Sequence, residues 1–159
     1  ALRMLTELPW LLTIVGDRTR DRQAAAQLDS EIALHRFNDR VTVLGEVSPH
    51  QLSELYVAAD VFVLASRFEG YGMAYAEAIA RGLPVIGTNA GAVPETVPPG
   101  AGILVRPDDA SALAEALRRI IEDPTERLRL KSAARAAAAR LPTWQASARI
   151  FSRAIETVG

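Results

Sequence analysis

Glu69 and Glu77 stand eight positions apart, with Gly70-Tyr71-Gly72 between them, in the stretch SRFEGYGMAYAEAIARGLPV from Ser66 to Val85. A carboxylate accepts two hydrogen bonds from a vicinal diol with good geometry. Glycines at 70 and 72 let a backbone turn sharply and let a group approach the chain closely. If a helix opens here, its first amides have no partner inside it and carry partial positive charge outward. Phosphates bind such places without a lysine. A ligand presenting a sugar, a diphosphate and a ribose in a row would use Glu69, the amides and Glu77 in turn. Met73, four residues before Glu77, shares its helix face. Packing offers a second reading. A Gly-x-Gly turn into a helix is common for packing alone, and glutamates near a helix start are favoured by its dipole. Spacing alone leaves the two readings level.

Those residues need a strand, a turn and a helix to hold them. Leu11-Leu12-Thr13-Ile14-Val15 is a short apolar run ending at Gly16, which predicts a buried strand. Helical spacing follows from about Arg20 to Phe37 through Ala24, Leu28 and Ile32. Val41 to Leu44 reads as a second strand, closed by Gly45. Ser48-Pro49-His50-Gln51 is a helix start: Ser48 caps, Pro49 suits the first position and Gln51 completes a capping box. Val61 to Leu64 is a third strand, and the helix after the glycine corner runs from about Met73 to Arg81, ended by Gly82. Pro84 to Gly87 and Gly102 to Val105 are the fourth and fifth strands, with a turn or short helix through Val93-Pro94-Glu95. From Asp108 the pattern is all helical, broken at Asp123-Pro124 and restarted at Pro142.

Strands that are continuous apolar runs, alternating with helices, mean a parallel sheet covered on both faces. Right-handed crossovers reduce the α/β choices to one open, doubly wound, Rossmann-like sheet with further helices at its C-terminal end. Ligands bind such sheets beyond the carboxyl ends of the strands. The Ser66 to Glu77 corner leaves the third strand at that edge.

The 159 residues are the size of one domain, so 1–159 is read as a single unit. A net charge of -1 gives no electrostatic case for nucleic acid or an anionic membrane surface. Cysteine is absent, which excludes disulfides, thiolate zinc and a cysteine nucleophile, and fits a reducing compartment. With His35 and His50 as the two histidines, a histidine-rich metal site is not expected. No apolar run approaches the ~20 residues that span a bilayer. The chain opens without methionine, and Leu2, Leu5 and Leu8 fall three apart as in the tail of an amphipathic helix. It reads as a piece of a longer protein.

The run from Val61 to Glu95 resembles the donor-binding segment of the retaining nucleotide-sugar glycosyltransferases of the GT-B fold, the "group 1" or family 4 type. The likeness lies in Ser66, Glu69-Gly70-Tyr71-Gly72, Glu77-Ala78, Arg81-Gly82-x-Pro84 and Gly91-x-x-Pro94-Glu95. Val15-Gly16-Asp17, Leu44-Gly45-x-Val47 and Ala59-Asp60-Val61 extend it over nearly the whole chain. The resemblance implies the C-terminal half of a GT-B enzyme that transfers a hexosyl group from a nucleoside diphosphate sugar. It makes Glu69 the catalytic residue, holding hydroxyls of the transferred sugar. It gives the Gly70, Tyr71, Gly72 and Met73 amides to sugar and diphosphate, Glu77 to the ribose and backbone near Val47 to the base. Ser66 and Gly16 join the donor-binding set. Transfer with retention, by front-face displacement with the leaving phosphate helping to deprotonate the acceptor, then depends on stabilising the departing diphosphate. No obligatory metal or other cofactor is implied, and the expected location is cytoplasmic, at the membrane periphery if an N-terminal domain brings it there.

The family's cationic pair and its acceptor-binding N-terminal domain lie upstream of Leu2, so the segment alone is expected to bind donor weakly and to be inactive. Arg18 is a candidate to reach the phosphates, against the plainer reading of a solvated charge at a helix entry. Arg118, Arg119, Glu122, Arg127 and Arg129 read as a solvated helix face, His35 and His50 as helix surface, and Trp144 and Phe151 as core. Two alternatives from other classes stand beside the transferase: a GT-B-like interaction module without catalysis, and another GT-B enzyme such as a sugar-nucleotide epimerase.

Overall fold

The computed structural model describes residues 1–141 and 144–156, the side chains of Trp144, Ala146 and Ser147 excepted. Its strands are β1 Leu12–Val15, β2 Val41–Leu44, β3 Phe62–Leu64, β4 Val85–Thr88 and β5 Gly102–Val105. Between them lie α1 Arg22–Leu34, α2 Pro49–Ala58, α3 Met73–Ala80 and α4 Val93–Thr96, and α5 Ala110–Glu122, α6 Pro124–Ala138 and α7 Trp144–Glu156 follow. Local chemistry starts and stops these helices. Asp21 accepts from the Ala24 amide, Ser48 and Gln51 form the capping box with Pro49 behind them, and Asp109 and Asp123 cap α5 and α6. Gly82, at φ +70, ends α3 in the left-handed region.

Every strand pair is parallel, with helices on both faces, as a Rossmann-like fold requires. Hydrogen bonding divides the strands into two ladders, β1-β2 and β3-β4-β5, where the sequence suggests one sheet. β3 is only three residues long and all three pair with β4. The ladders are joined by side chains instead: Leu12, Val41, Val61, Val63 and Ile103 all pack on one core cluster around Ile86, Phe37 and Leu117. A second cluster ties α3 to β4 and α4 through Tyr75, Ile79, Val85 and Val93. Tyr75 and Ile79 have no solvent exposure, and burying each contributes about 2 kcal/mol. α3 is therefore anchored from below, which leaves its first turn free to face outward.

Four expectations are corrected. The opening leucines form a single 3-10 turn, Leu2–Met4, not a helix tail: Leu5 is buried and Trp10 Nε1 donates to its carbonyl at 2.8 Å. α1 stops at Leu34, because Arg36 takes a positive φ of 56° and Phe37 turns into the core, edge-on to Trp10 at 5.0 Å. Phe151 is 68% exposed, beside exposed Ile150 and Ile155, and so is not core. The side chain of Trp144, assigned to the core with it, lies outside the described residues. The basic helix face is not simply solvated either. Arg118 Nη2 donates to Glu7 Oε1 at 2.5 Å and Met4 O at 3.1 Å, while Arg119 and Arg129 grip Glu126, which is only 8% exposed. His50 is exposed on α2, and His35 caps α1 against the Phe37 ring.

Among the described residues no helix is long and apolar enough to cross a membrane.

Candidate functional site

β3 delivers the chain at Leu64 to the edge where all the strands end. Tyr75, reaching back from α3, donates its hydroxyl to Leu64 O. Its ring fills the space beside Gly87, where an added Cβ would fall 2.5 Å from Tyr75 Cε1. Thr88, buried at the end of β4, donates to Ser66 O, and Ser66 Oγ donates to Glu69 Oε1 at 2.9 Å. The Glu69 carboxylate is thus aimed by a hydroxyl, and no cation pairs with it among the described residues.

The turn that follows is held from one side. Glu69 O accepts from the Ala92 amide at 2.9 Å, and Thr96 Oγ1 lies 2.7 Å from Tyr71 O. Gly91, at φ +56, packs so tightly on Glu69 that a Cβ there would sit 2.2 Å from its carbonyl oxygen. Gly72, at φ +77, is the N-cap of α3 and supplies no side-chain cap. Gly70 differs from the sequence expectation: its φ is not positive and an added Cβ would meet nothing within 4 Å. Gly72 makes the turn, while the fold itself does not require a glycine at 70.

No backbone or side-chain acceptor meets the N–H groups of Gly70, Tyr71, Gly72, Met73 or Ala74 among the described residues. Five consecutive free amides at the mouth of a helix anchored by its buried face, with Gly70, Tyr71 and Met73 exposed and Gly72 buried among them, concentrate partial positive charge at one place. Tyr71 and Met73 side chains project outward there, 71% and 58% exposed.

Glu77 lies one turn further along α3 and is half-buried. Burial pushes the Tyr56 phenol above its ordinary value, and the Glu77 carboxylate facing it pushes the same way. Burial likewise raises the Tyr75 phenol, with a smaller push from Glu69. Arg81 stacks over the Tyr56 ring at 4.7 Å and donates to Glu77 O, not to the carboxylate. Both glutamates therefore keep carboxylates that face hydroxyls, and neither forms an ion pair with an arginine among the described residues.

The same edge carries the ends of β1 and β2. Gly16 N donates to Gly45 O at 3.2 Å, so Gly16 lies beside the turn leading to half-buried Val47 and α2. Arg18 is engaged elsewhere: its Nη2 meets Asp29 Oδ2 on α1 at 2.5 Å. Among the described residues no group of three or more His, Asp or Glu side chains gathers as a metal site.

Residues 1–137 match the family model described as glycosyl transferases group 1. The chain belongs to that family. It is 35% identical over 106 residues, 62% of its length, to the GDP-mannose-dependent monoacylated alpha-(1-6)-phosphatidylinositol monomannoside mannosyltransferase of Corynebacterium glutamicum, and spans 28% of that protein. Its fold superposes on sucrose-phosphate synthase from Thermosynechococcus elongatus with a TM-score of 0.82, at 27% identity over 98% of this chain and 48% of that one. Anabaena HepE in complex with UDP gives a TM-score of 0.80 at 27% identity, over 97% of this chain and 42% of that one. As a group 1 glycosyltransferase segment, the chain has the GT-B half that its resemblance implied.

Of the residues read from the family motif, Ser66 to Glu77 stand together at the β3–α3 corner, Gly16 and Val47 follow β1 and β2, and the Arg18 guanidinium is held by Asp29. Sequence reasoning missed Thr88, Ala92 and Thr96, which hold the corner from behind. The signal for Thr88 was a lone polar residue closing an apolar strand run. Ala92 acts through its backbone, which leaves no trace in residue type.

Proposed function

We propose that this segment is the donor-binding half of a retaining glycosyltransferase that takes a hexosyl group from a nucleoside diphosphate sugar. The observation that carries the reading is the run of amides from Gly70 to Ala74, free of acceptors among the described residues, between two carboxylates that form no ion pair there. Amides of Gly70 to Met73 bind the diphosphate, Glu77 clasps the ribose diol, and Glu69, aimed by Ser66, holds hydroxyls of the sugar. Backbone near Val47 and Gly16 borders the base. Arg18 joins only if a ligand draws it away from Asp29.

In the transfer, the bond between the anomeric carbon and the diphosphate oxygen breaks while the acceptor oxygen bonds on the same face. The acceptor proton passes to the departing phosphate. The charge gathering on that phosphate is met by amides already pointed at it, so little reorganisation is needed. The segment spans about a third or less of the length of the curated relatives it matches, and on this reading the acceptor side and the cationic pair belong to the rest. No metal is assigned a role, the location is taken as cytoplasmic, and the segment alone is expected to bind donor weakly and transfer nothing. That HepE, which shares this fold, was solved in complex with UDP and with UDP-glucose supports a nucleotide-sugar as the ligand.

Calorimetry of the full-length protein with UDP, GDP, ADP and their sugars tests the reading. Binding of at least one is expected, and silence from every one in a folded sample overturns it. The anomeric configuration of the product, read by NMR, tests retention.

A further inference from the structure

A peptide plane carries its carbonyl and the following N–H on opposite sides. Holding one sets the direction of the other. Two planes of the glycine corner are held this way, both from the segment 88–96. Glu69 O is bound by the Ala92 amide, which turns Gly70 N–H to the opposite side. Tyr71 O is bound by the Thr96 hydroxyl, which turns Gly72 N–H the same way.

Thr96 Oγ1 lies near two carbonyls, Tyr71 O at 2.7 Å and Ala92 O at 3.0 Å, and has one proton to give. Ala92 O already accepts from the amides of Thr96 at 3.0 Å and Glu95 at 3.2 Å. Tyr71 O has no other donor among the described residues. The proton therefore belongs to Tyr71 O. Gly72 leaves room for this approach, since a Cβ there would sit 3.1 Å from Thr96 Oγ1.

We propose that Thr96 is a positioning residue for the diphosphate: its hydroxyl fixes the Tyr71–Gly72 peptide so that the Gly72 amide faces the ligand. Thr96 touches no substrate and acts through the backbone it holds. The inference rests on the donor-site reading above. The matching plane at Glu69–Gly70 is held by main chain, which no substitution but proline removes, whereas the Thr96 hydroxyl can be deleted without altering the backbone.

The test uses the full-length protein with T96V, T96A and T96S. Valine keeps the shape of threonine but puts a methyl where the hydroxyl was, too close to Tyr71 O for carbon. Alanine leaves Tyr71 O without its donor and serves if the valine variant does not fold. For the nucleoside diphosphate that the unaltered protein binds best, the dissociation constant should rise about fivefold in T96V or T96A and stay within about twofold in T96S. Affinity for the matching nucleoside, followed by ligand-observed NMR below each variant's melting temperature, should hold. Unchanged diphosphate binding in T96V and T96A overturns the proposal, as does a T96S loss as large as theirs or an equal loss for nucleoside and diphosphate. If the unaltered protein binds no nucleoside diphosphate, the donor-site reading itself fails first.

Discussion

Glutamates stand near the starts of two helices, α3 and α6, and meet opposite fates. Glu126 in the first turn of α6 is buried, its amide donates to the Asp123 cap, and its carboxylate is bound by Arg129 Nε and Arg119 Nη2 at 2.6 Å each. Hydrogen bonds from Arg129, with the charge of both arginines, hold its carboxyl below the usual glutamate range. Glu69 and Glu77, on either side of the α3 mouth, form no ion pair among the described residues: Glu69 accepts from the Ser66 hydroxyl, and Glu77 faces the Tyr56 phenol with Arg81 stacked on that ring. An acid whose charge is satisfied inside the protein contributes to the fold. One whose charge is left to hydroxyls keeps its capacity for a ligand, and that difference separates the candidate site from structural look-alikes.

The sharpest way to break this contrast is Glu69→Ala in the full-length protein. Transfer should fall by about 100-fold or more, with nucleoside diphosphate affinity little changed, because the contact proposed for Glu69 is to the sugar. Retained turnover in steady-state kinetics would place Glu69 with the structural acids. Gly91→Ala comes next. Its Cβ would press on Glu69 O at a positive φ, so stability should drop by about 1–3 kcal/mol in denaturant titration, and transfer should drop with it. A stable, fully active variant would mean that the Gly91 contact does not hold Glu69.

Glu77→Gln should weaken nucleoside diphosphate binding about tenfold by calorimetry, since an amide keeps one of the two acceptors the diol needs. Equal affinity would remove Glu77 from the site. Glu126→Gln should leave nucleotide binding alone and lower stability by only about 1 kcal/mol, because Arg119 and Arg129 are more than half exposed and rehydrate. The folded carboxyl of Glu126 titrates below its unfolded value. Its stabilisation is therefore present above the ordinary glutamate range and is lost as pH falls through the depressed folded value. Acid unfolding followed by circular dichroism should show a shallower loss below about pH 4 in the variant than in the unaltered protein.

The strands, caps and glycine corner were legible in sequence because each rests on local chemistry: apolar runs, Ser48-Pro49-x-Gln51, and a helix start after Gly72. Pairing was less so. Whether β3 hydrogen-bonds to one neighbour or two depends on side-chain packing between distant segments, which no local pattern encodes. The two glutamates could be nominated by spacing, and the family motif gave them roles. Their supports could not. Ala92 holds Glu69 through an amide that any residue but proline would offer, and Thr96 matters for where α4 places it. Arg18 shows the converse case, a charge at a plausible position whose partner, Asp29, lies eleven residues on.

Gly87 is the missing half of Tyr75: the strand has no side chain where the helix inserts a ring, and the ring's hydroxyl fastens the end of the neighbouring strand. The two positions share one volume, so they should vary together across relatives. Where position 87 gains a methyl, position 75 should have lost its ring, and some other donor should have appeared to serve the carbonyl at 64.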